Sequence, residues 1–141
     1  MASRSAEPLT TLTVNVDGGA RGNPGPAAIG AVVQGPGGEI LEERGERIGV
    51  ATNNVAEYKA LLLGIGRAVE LGATELDLVG DSELVVRQVK GEYKVKDATL
   101  RKLHAEVKRA LRSFDGEWSI RHVRRAENAE ADRLVNEALD G

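Results

Sequence analysis

Four carboxylates in this chain could serve a single chemistry: Asp17, Glu57, Asp81 and Asp132. Glu57 belongs to the stretch Thr52-Asn53-Asn54-Val55-Ala56-Glu57-Tyr58, which opens the first long helix. It falls on the apolar stripe of that helix, with Leu61, Ile65, Ala68, Leu71 and, among them, Gly64. A carboxylate on a core-facing stripe is costly unless it is paired, protonated or bound to metal. Each of the four has a local structural reading. Asn54 as N-cap with Glu57 returning a hydrogen bond would make a capping box. Asp17-Gly18 would be a turn, Asp81-Ser82 a helix cap, and Asp132 an acid near a helix N-terminus. Together they suit a different chemistry. Four carboxylates can hold two divalent cations roughly 3.5–4 Å apart, clamping the attacking and leaving oxygens of a phosphoryl displacement. One Asp bridges the ions, one ion activates water, and the other stabilises the departing 3′ oxygen. Mg²⁺ suits such an oxygen site and keeps waters for a substrate to displace, with Mn²⁺ as the alternative ion.

The elements that must position these groups follow from the hydrophobic pattern. Leu9–Asp17 alternates as a half-buried strand, with Leu12, Val14 and Val16 on one face. Gly18 to Pro26 is rich in glycine and proline and predicts a loop with no regular structure. Ala27–Gln34 and Glu39–Ile48 are strands joined by a Gly35–Gly38 turn, completing an antiparallel meander. The helix from about Asn54 to Leu71 ends before Gly72, a natural C′ residue. Thr74–Val79 is a fourth strand. A helix of this length is a crossover, so the fourth strand can lie parallel to the first. A short helix runs from Ser82 to about Lys90, and Gly91–Lys96 is a linker. Asp97 caps a helix to about Ser113, with Leu100, Leu103, Val107 and Leu111 on one face. Glu117–Val123 is a fifth strand and Arg124–Glu127 a loop. Asn128 or a neighbour caps a last helix to about Leu139, with Ala131, Leu134, Val135 and Ala138 inward. The element order is βββαβααβα. If the first and fourth strands are neighbours, Asp17 and Asp81 meet beyond their carboxyl ends, where open α/β sheets bind ligands.

Composition narrows the class. A chain of 141 residues suits one domain. The absence of cysteine removes disulfides and thiolate sites, leaving oxygen or imidazole to hold any metal. No apolar run reaches the length of a membrane span, and Met1–Pro8 has no apolar signal-peptide core. That segment is expected to be a disordered tail ahead of one domain at 9–141, and the location cytoplasmic. The net charge of −3 conceals a division. Val86 to Arg125 carries a net +7 and the remainder −10. The basic segment is either an electrostatic footprint for nucleic acid or a solvated helix face.

Four motifs point to a family. They are Val16-Asp17-Gly18-Gly19 with Gly22-Asn23-Pro24-Gly25-Pro26; Thr52-Asn53-Asn54-Val55-Ala56-Glu57; Gly80-Asp81-Ser82; and Ala126-Glu127-Asn128-Ala129-Glu130-Ala131-Asp132-Arg133-Leu134. In this order and spacing, over about Leu9 to Leu139, the chain resembles type 1 ribonuclease H, whose members cut the RNA strand of RNA–DNA hybrids. The resemblance implies a ribonuclease H-like fold: an α/β domain with a five-stranded mixed sheet in order 3-2-1-4-5, flanked by helices. It implies that Asp17, Glu57, Asp81 and Asp132 are the metal-binding catalytic carboxylates. It places Thr52 in a DNA phosphate pocket, and Asn23, Asn53 and Asn54 near the backbone and RNA 2′ hydroxyls. Gly18, Gly19, Ser82 and Asn128 complete the expected substrate contacts. The physical chemistry agrees, since a side-chain amide, like the 2′-OH, is both donor and acceptor. Products should carry 5′ phosphate and 3′ hydroxyl.

Three positions depart from the family pattern. Glu83 stands where an uncharged amide is common. Gly91–Lys96 is too short for a long basic protrusion, so hybrid affinity falls to Lys94, Lys96, Arg101 and Lys102, or to another domain. His122 matches the family's proton-transfer histidine by count back from Asp132, yet reads as the end of the fifth strand; Arg124 or Arg125 could serve the leaving product instead. His104 is expected at the surface. The chain is expected to act as a monomer on RNA–DNA hybrids, with no membrane partner. A further C-terminal domain could follow it in a full-length protein. The rivals are a catalytically silent hybrid-binding module on the same fold and a related nuclease or nucleotidyl transferase acting on DNA.

Overall fold

The computed structural model describes residues 10–141, so the expected tail at Met1–Pro8 lies outside the described residues. Five strands form one sheet: β1 (Thr11–Ala20), β2 (Gly25–Gln34), β3 (Ile40–Ala51), β4 (Glu75–Gly80) and β5 (Glu117–His122). Their order is β3-β2-β1-β4-β5. The meander β1–β2–β3 is antiparallel, whereas β4 lies parallel to β1 and β5 parallel to β4. Among the described residues four α-helices accompany it: α1 (Asn53–Glu70), α2 (Glu83–Lys90), α3 (Ala98–Phe114) and α4 (Ala129–Asp140). A 3₁₀ turn, Arg125–Asn128, occupies the segment expected as a loop.

The register aligns the parallel strands at one end. Val16 pairs with Gly80, and Gly80 with His122. Asp17 and Asp81 each follow a member of the Val16–Gly80 pair by one residue, so they emerge side by side. The crossover α1 makes this possible, as its length and stripe predict. Leu61, Ile65 and Ala68 are buried on that stripe. Leu71 is not: it follows the last helical turn and is 39% exposed. The expected caps of the two central helices hold. Val85 N–H donates to Ser82 Oγ at 3.3 Å, and Leu100 N–H to Asp97 Oδ1 at 3.0 Å.

The segment Gly18–Pro26 departs from expectation. β1 continues through Gly18 and Gly19 to Ala20, and β2 begins at Gly25, leaving Arg21–Pro24 as the connection. The ladder Gly18–Ile29, Gly19–Ala28 and Ala20–Ala27 supplies partners for backbone groups that local turn propensity would have left to water. Asp17 therefore lies within β1 rather than at its end, although it is the first residue beyond the parallel pairing with β4.

The main core is mostly aliphatic, with Leu12, Val14 and Val16 of β1 facing α1, Tyr58 and Phe114 among its buried members, and the buried stripe of α3 completing it. On the opposite face α4 covers β2 and β3, where Val32, Ala131 and Leu134 form a smaller cluster. Ala138, expected inward, is only half-buried.

Candidate active site

Three of the four expected carboxylates come together. Asp17, Glu57 and Asp81 each offer an oxygen, and these oxygens lie within 4.8 Å of one another. Asp17 and Glu57 are 6% and 8% exposed, and Asp81 is half-buried. Asp132 stands on the rim of the same cleft of about 460 Å³. Arg125 Nη2 lies 3.4 Å from its Oδ1, and Asn136 Nδ2 is 3.4 Å from its Oδ2.

Local sequence explains each placement. The N-cap of α1 is Thr52, not Asn54: Val55 N–H donates to Thr52 Oγ1 at 3.2 Å. The cap thus falls two residues earlier than Asn54, and Glu57 lies beyond the reach of a capping box. Its carboxylate is free to join Asp17. Close approach requires Gly18, because a Cβ there would collide with the backbone carbonyl of Ala56. The missing side chain lets the first turns of α1 rest directly on β1. Across the sheet, a Cβ at Gly30 would lie 2.7 Å from Ala131 O, so α4 also packs on bare backbone one residue from Asp132.

The electrostatics follow from this crowding. Asp17 is pushed up from the usual 3.8 to about 7, first by burial and then by the charge of Asp81. Glu57 is pushed well above the usual carboxylate range by burial, then by the charges of Asp17 and Asp81. Asp81 is raised by burial and held back by Arg125 and by a hydrogen bond from Asn128. At neutral pH the cluster retains negative charge that Arg125 only partly offsets. Hard oxygen donors, converging, with unmet negative charge, fit a divalent cation of the Mg²⁺ class.

The expected substrate contacts separate into two groups. Gly18, Gly19 and Asn53 line the carboxylate cleft. Asn23, Thr52 and Asn54 line a neighbouring cleft of about 510 Å³, with Lys59 on its wall. A pair of bonds fixes the ridge between them. Ala20 N–H donates to Asn53 Oδ1 at 2.8 Å, and Asn53 N–H donates to Asn23 Oδ1 at 3.0 Å. Ser82 is half-buried and caps α2.

Asn128 is a correction. It is 1% exposed and faces the interior, so it is not a substrate contact. Its side chain makes no cap bond to α4. Instead Nδ2 donates to Val16 O at 2.8 Å, and Oδ1 accepts from Asn15 Nδ2 at 3.0 Å. It ties the residue before Asp17 to the turn before α4. Sequence reasoning missed Asn15, whose only signal was its place on the face of β1 away from Val14 and Val16.

The two histidines also resolve. His122 is exposed at the end of β5, level with Gly80, and is not among the residues lining the carboxylate cleft. Arg125 is among them. His104 is half-buried rather than at the surface. Its ring lies edge-on to Tyr58, 6.4 Å between centroids, and its Nε2 is 3.0 Å from Gln88 O. The charge of Glu83 is met by Arg87 at 2.9 Å, one helical turn on.

Known proteins agree with this arrangement. A family profile described as reverse transcriptase-like matches residues 15–138. Ribonuclease HI of Halobacterium salinarum is 48% identical over 124 residues, covering 88% of this chain and 62% of that protein. A bifunctional protein of Mycobacterium tuberculosis is 47% identical over 133 residues, covering 92% of this chain and 35% of that protein. The chain therefore spans less than two thirds of the length of either relative. The crystal structure of LC11-RNase H1 in complex with an RNA/DNA hybrid matches at a TM-score of 0.88 and 42% identity, covering 92% of this chain and 96% of that one. With the sheet order, the carboxylate cluster and these matches in accord, the chain belongs to the type 1 ribonuclease H family.

Proposed function

We propose that this chain is a divalent-metal-dependent endoribonuclease that hydrolyses the RNA strand of RNA–DNA hybrids. The observation that carries the reading is the convergence of Asp17, Glu57 and Asp81 at the end of the parallel strands, with Asp132 on the same cleft. The likeness to a protein solved with an RNA/DNA hybrid supports the substrate. Asp17, Glu57, Asp81 and Asp132 would hold two Mg²⁺ or Mn²⁺ ions, which supply Lewis-acid stabilisation of the attacking and leaving oxygens. Hydrolysis adds water across the P–O3′ bond, so the water oxygen ends on the 5′ phosphate and the 3′ oxygen leaves as hydroxyl.

The chain's own residues do the positioning. The ridge built by Ala20, Asn53 and Asn23 separates the carboxylate cleft from the cleft at Thr52. In this reading it would lie between the two strands of a bound hybrid. The RNA strand belongs in the carboxylate cleft, where Asn53 can meet a 2′-OH as donor or acceptor. A DNA phosphate belongs at Thr52, beside the start of α1, where Lys59 adds positive charge. Arg125, 81% exposed at its side chain and beside Asp132, is better placed than His122 to steady the leaving product. The active form is proposed to be a monomer.

The test is cleavage of end-labelled RNA–DNA hybrid with Mg²⁺, Mn²⁺ or EDTA, beside single-stranded RNA, RNA duplex and DNA duplex. Metal-dependent cutting of the hybrid alone, leaving 5′ phosphate and 3′ hydroxyl, is expected. Binding of hybrid without cutting would overturn the catalytic reading in favour of a silent binding module.

A further inference from the structure

Among the described residues, Tyr58 and Gln88 are buried polar side chains that line neither the carboxylate cleft nor the cleft at Thr52. Tyr58 has no exposed surface, and its hydroxyl donates to Gln88 Oε1 at 2.6 Å. Burial pushes the phenol up to about 12, so it keeps its proton at any working pH. Gln88 is 4% exposed, and its Nε2 donates to Lys94 O at 3.3 Å. The end of α2 is held from the other side by α3. His104 Nε2 lies against Gln88 O, and Lys108 Nζ donates to Val89 O at 3.2 Å.

A phenylalanine and a leucine would fill the same core space without desolvating an amide and a hydroxyl. The effect specific to the polar pair is therefore found where it ends, at Lys94 O. Lys94 lies in the α2–α3 connection, Gly91–Lys96, which is exposed apart from half-buried Val95. Beyond Tyr93 this connection is anchored by Gln88 at Lys94 O and by Arg101 Nη2 at Lys96 O, 3.2 Å. It carries Lys94 and Lys96, part of the basic segment. At the other end of the pair, Tyr58 is the residue after Glu57.

We infer that Tyr58 and Gln88 are positioning residues that hold the basic α2–α3 connection in a fixed place relative to the carboxylate cleft. Substrate grip and cleavage then share one rigid frame. The inference rests on the proposed hybrid cleavage, and its test separates the two.

The variants are Tyr58→Phe, Gln88→Leu and the double, studied in the full chain. Steady-state cleavage of an RNA–DNA hybrid should show KM raised about three- to tenfold, the size of one lost hydrogen bond, with kcat unchanged. The double variant should match the singles, because the pair acts as one unit. Hydrogen exchange of the peptide covering 91–97 should quicken in each variant, while exchange over 53–60 stays as in the parent. Unchanged KM and unchanged exchange at 91–97 would overturn the inference. So would a fall in kcat with KM unaffected, which would place the effect at Glu57. If the parent protein cut no hybrid, the functional proposal would fail, and the exchange measurement would still decide the role of the pair. Should Gln88→Leu fold poorly, Tyr58→Phe keeps the ring packing and carries the test alone.

Discussion

Replacing Asp17 by asparagine should abolish cleavage and, in the metal-free protein, raise stability. Asp17 is 6% exposed, and its carboxyl sits at about 7 instead of the usual 3.8. A carboxyl raised in the folded state favours folding when protonated. Its contribution is fully present below the unfolded value and is lost as pH rises through about 7. Above that pH, ionised Asp17 costs the fold up to roughly 4 kcal/mol. An amide removes the charge but gives up part of the proton sharing with Glu57, leaving a net gain of about 2–3 kcal/mol. For a domain of this size that is a rise of roughly 5–10 °C in Tm. The assay is thermal unfolding followed by circular dichroism, in EDTA, at about pH 8 and about pH 5, on either side of the titration. Asp17→Asn should unfold well above the parent at the higher pH and close to it at the lower. Mg²⁺ should raise the parent's Tm and leave the variant nearly unmoved, because a ligand stabilises only the state that binds it. A variant equal to or less stable than the parent at the higher pH in EDTA would refute the account of a repulsive buried cluster.

Other substitutions probe the supports. Gly18→Ala would drive a Cβ into the Ala56 backbone and should cost about 3 kcal/mol or more in urea unfolding; a loss below about 1 kcal/mol would show that α1 can retreat freely. Asn128→Ala deletes the bonds to Val16 O and Asn15 and should cost about 2–4 kcal/mol. It should also weaken Mn²⁺ binding measured by calorimetry, and unchanged affinity would separate Asn128 from the carboxylates. Arg125→Ala should lower kcat about tenfold or more with Tm nearly unchanged, since its ion pair with Asp132 is exposed. An intact kcat would return the product-side role to His122.

Much of the site was legible because its geometry is carried by periodicity. Alternation in β1 and helical spacing in α1 fix which residues face the core, and a crossover helix makes β1 and β4 parallel. Asp17, Glu57 and Asp81 converge as those patterns imply. What sequence could not show was set by tertiary partners. Gly18 and Gly19 look like a turn, but the Ile29 and Ala28 backbones extend the ladder through them. Asn54 looks like an N-cap because its spacing to Glu57 fits a capping box, yet Thr52 holds the cap. Asn128 looks like an exposed cap or contact. Its burial depends on Val16 and Asn15, more than a hundred residues away in the chain. His104 looks superficial because it lies on the basic helix, and the packing of α3 on Tyr58 and α2 draws it inward.

The common level of Val16, Gly80 and His122 divides the molecule by its tolerance to changes of chain length. The connections at Arg21–Pro24 and Ala51–Thr52, and the segment after Gly80, lie at the chemical end of the sheet. The turns at Gly35–Gly38, Leu71–Thr74 and Asp115-Gly116 lie at the other, where a Cβ on Gly116 would touch Thr74 O. One residue added within β1 or β4 would turn its aspartate to the opposite face of the sheet. Residues added at the Gly35–Gly38 turn would leave every carboxylate where it stands. Grafted segments and reporter peptides therefore have a natural point of entry at that turn, at the far end of the sheet from the chemistry.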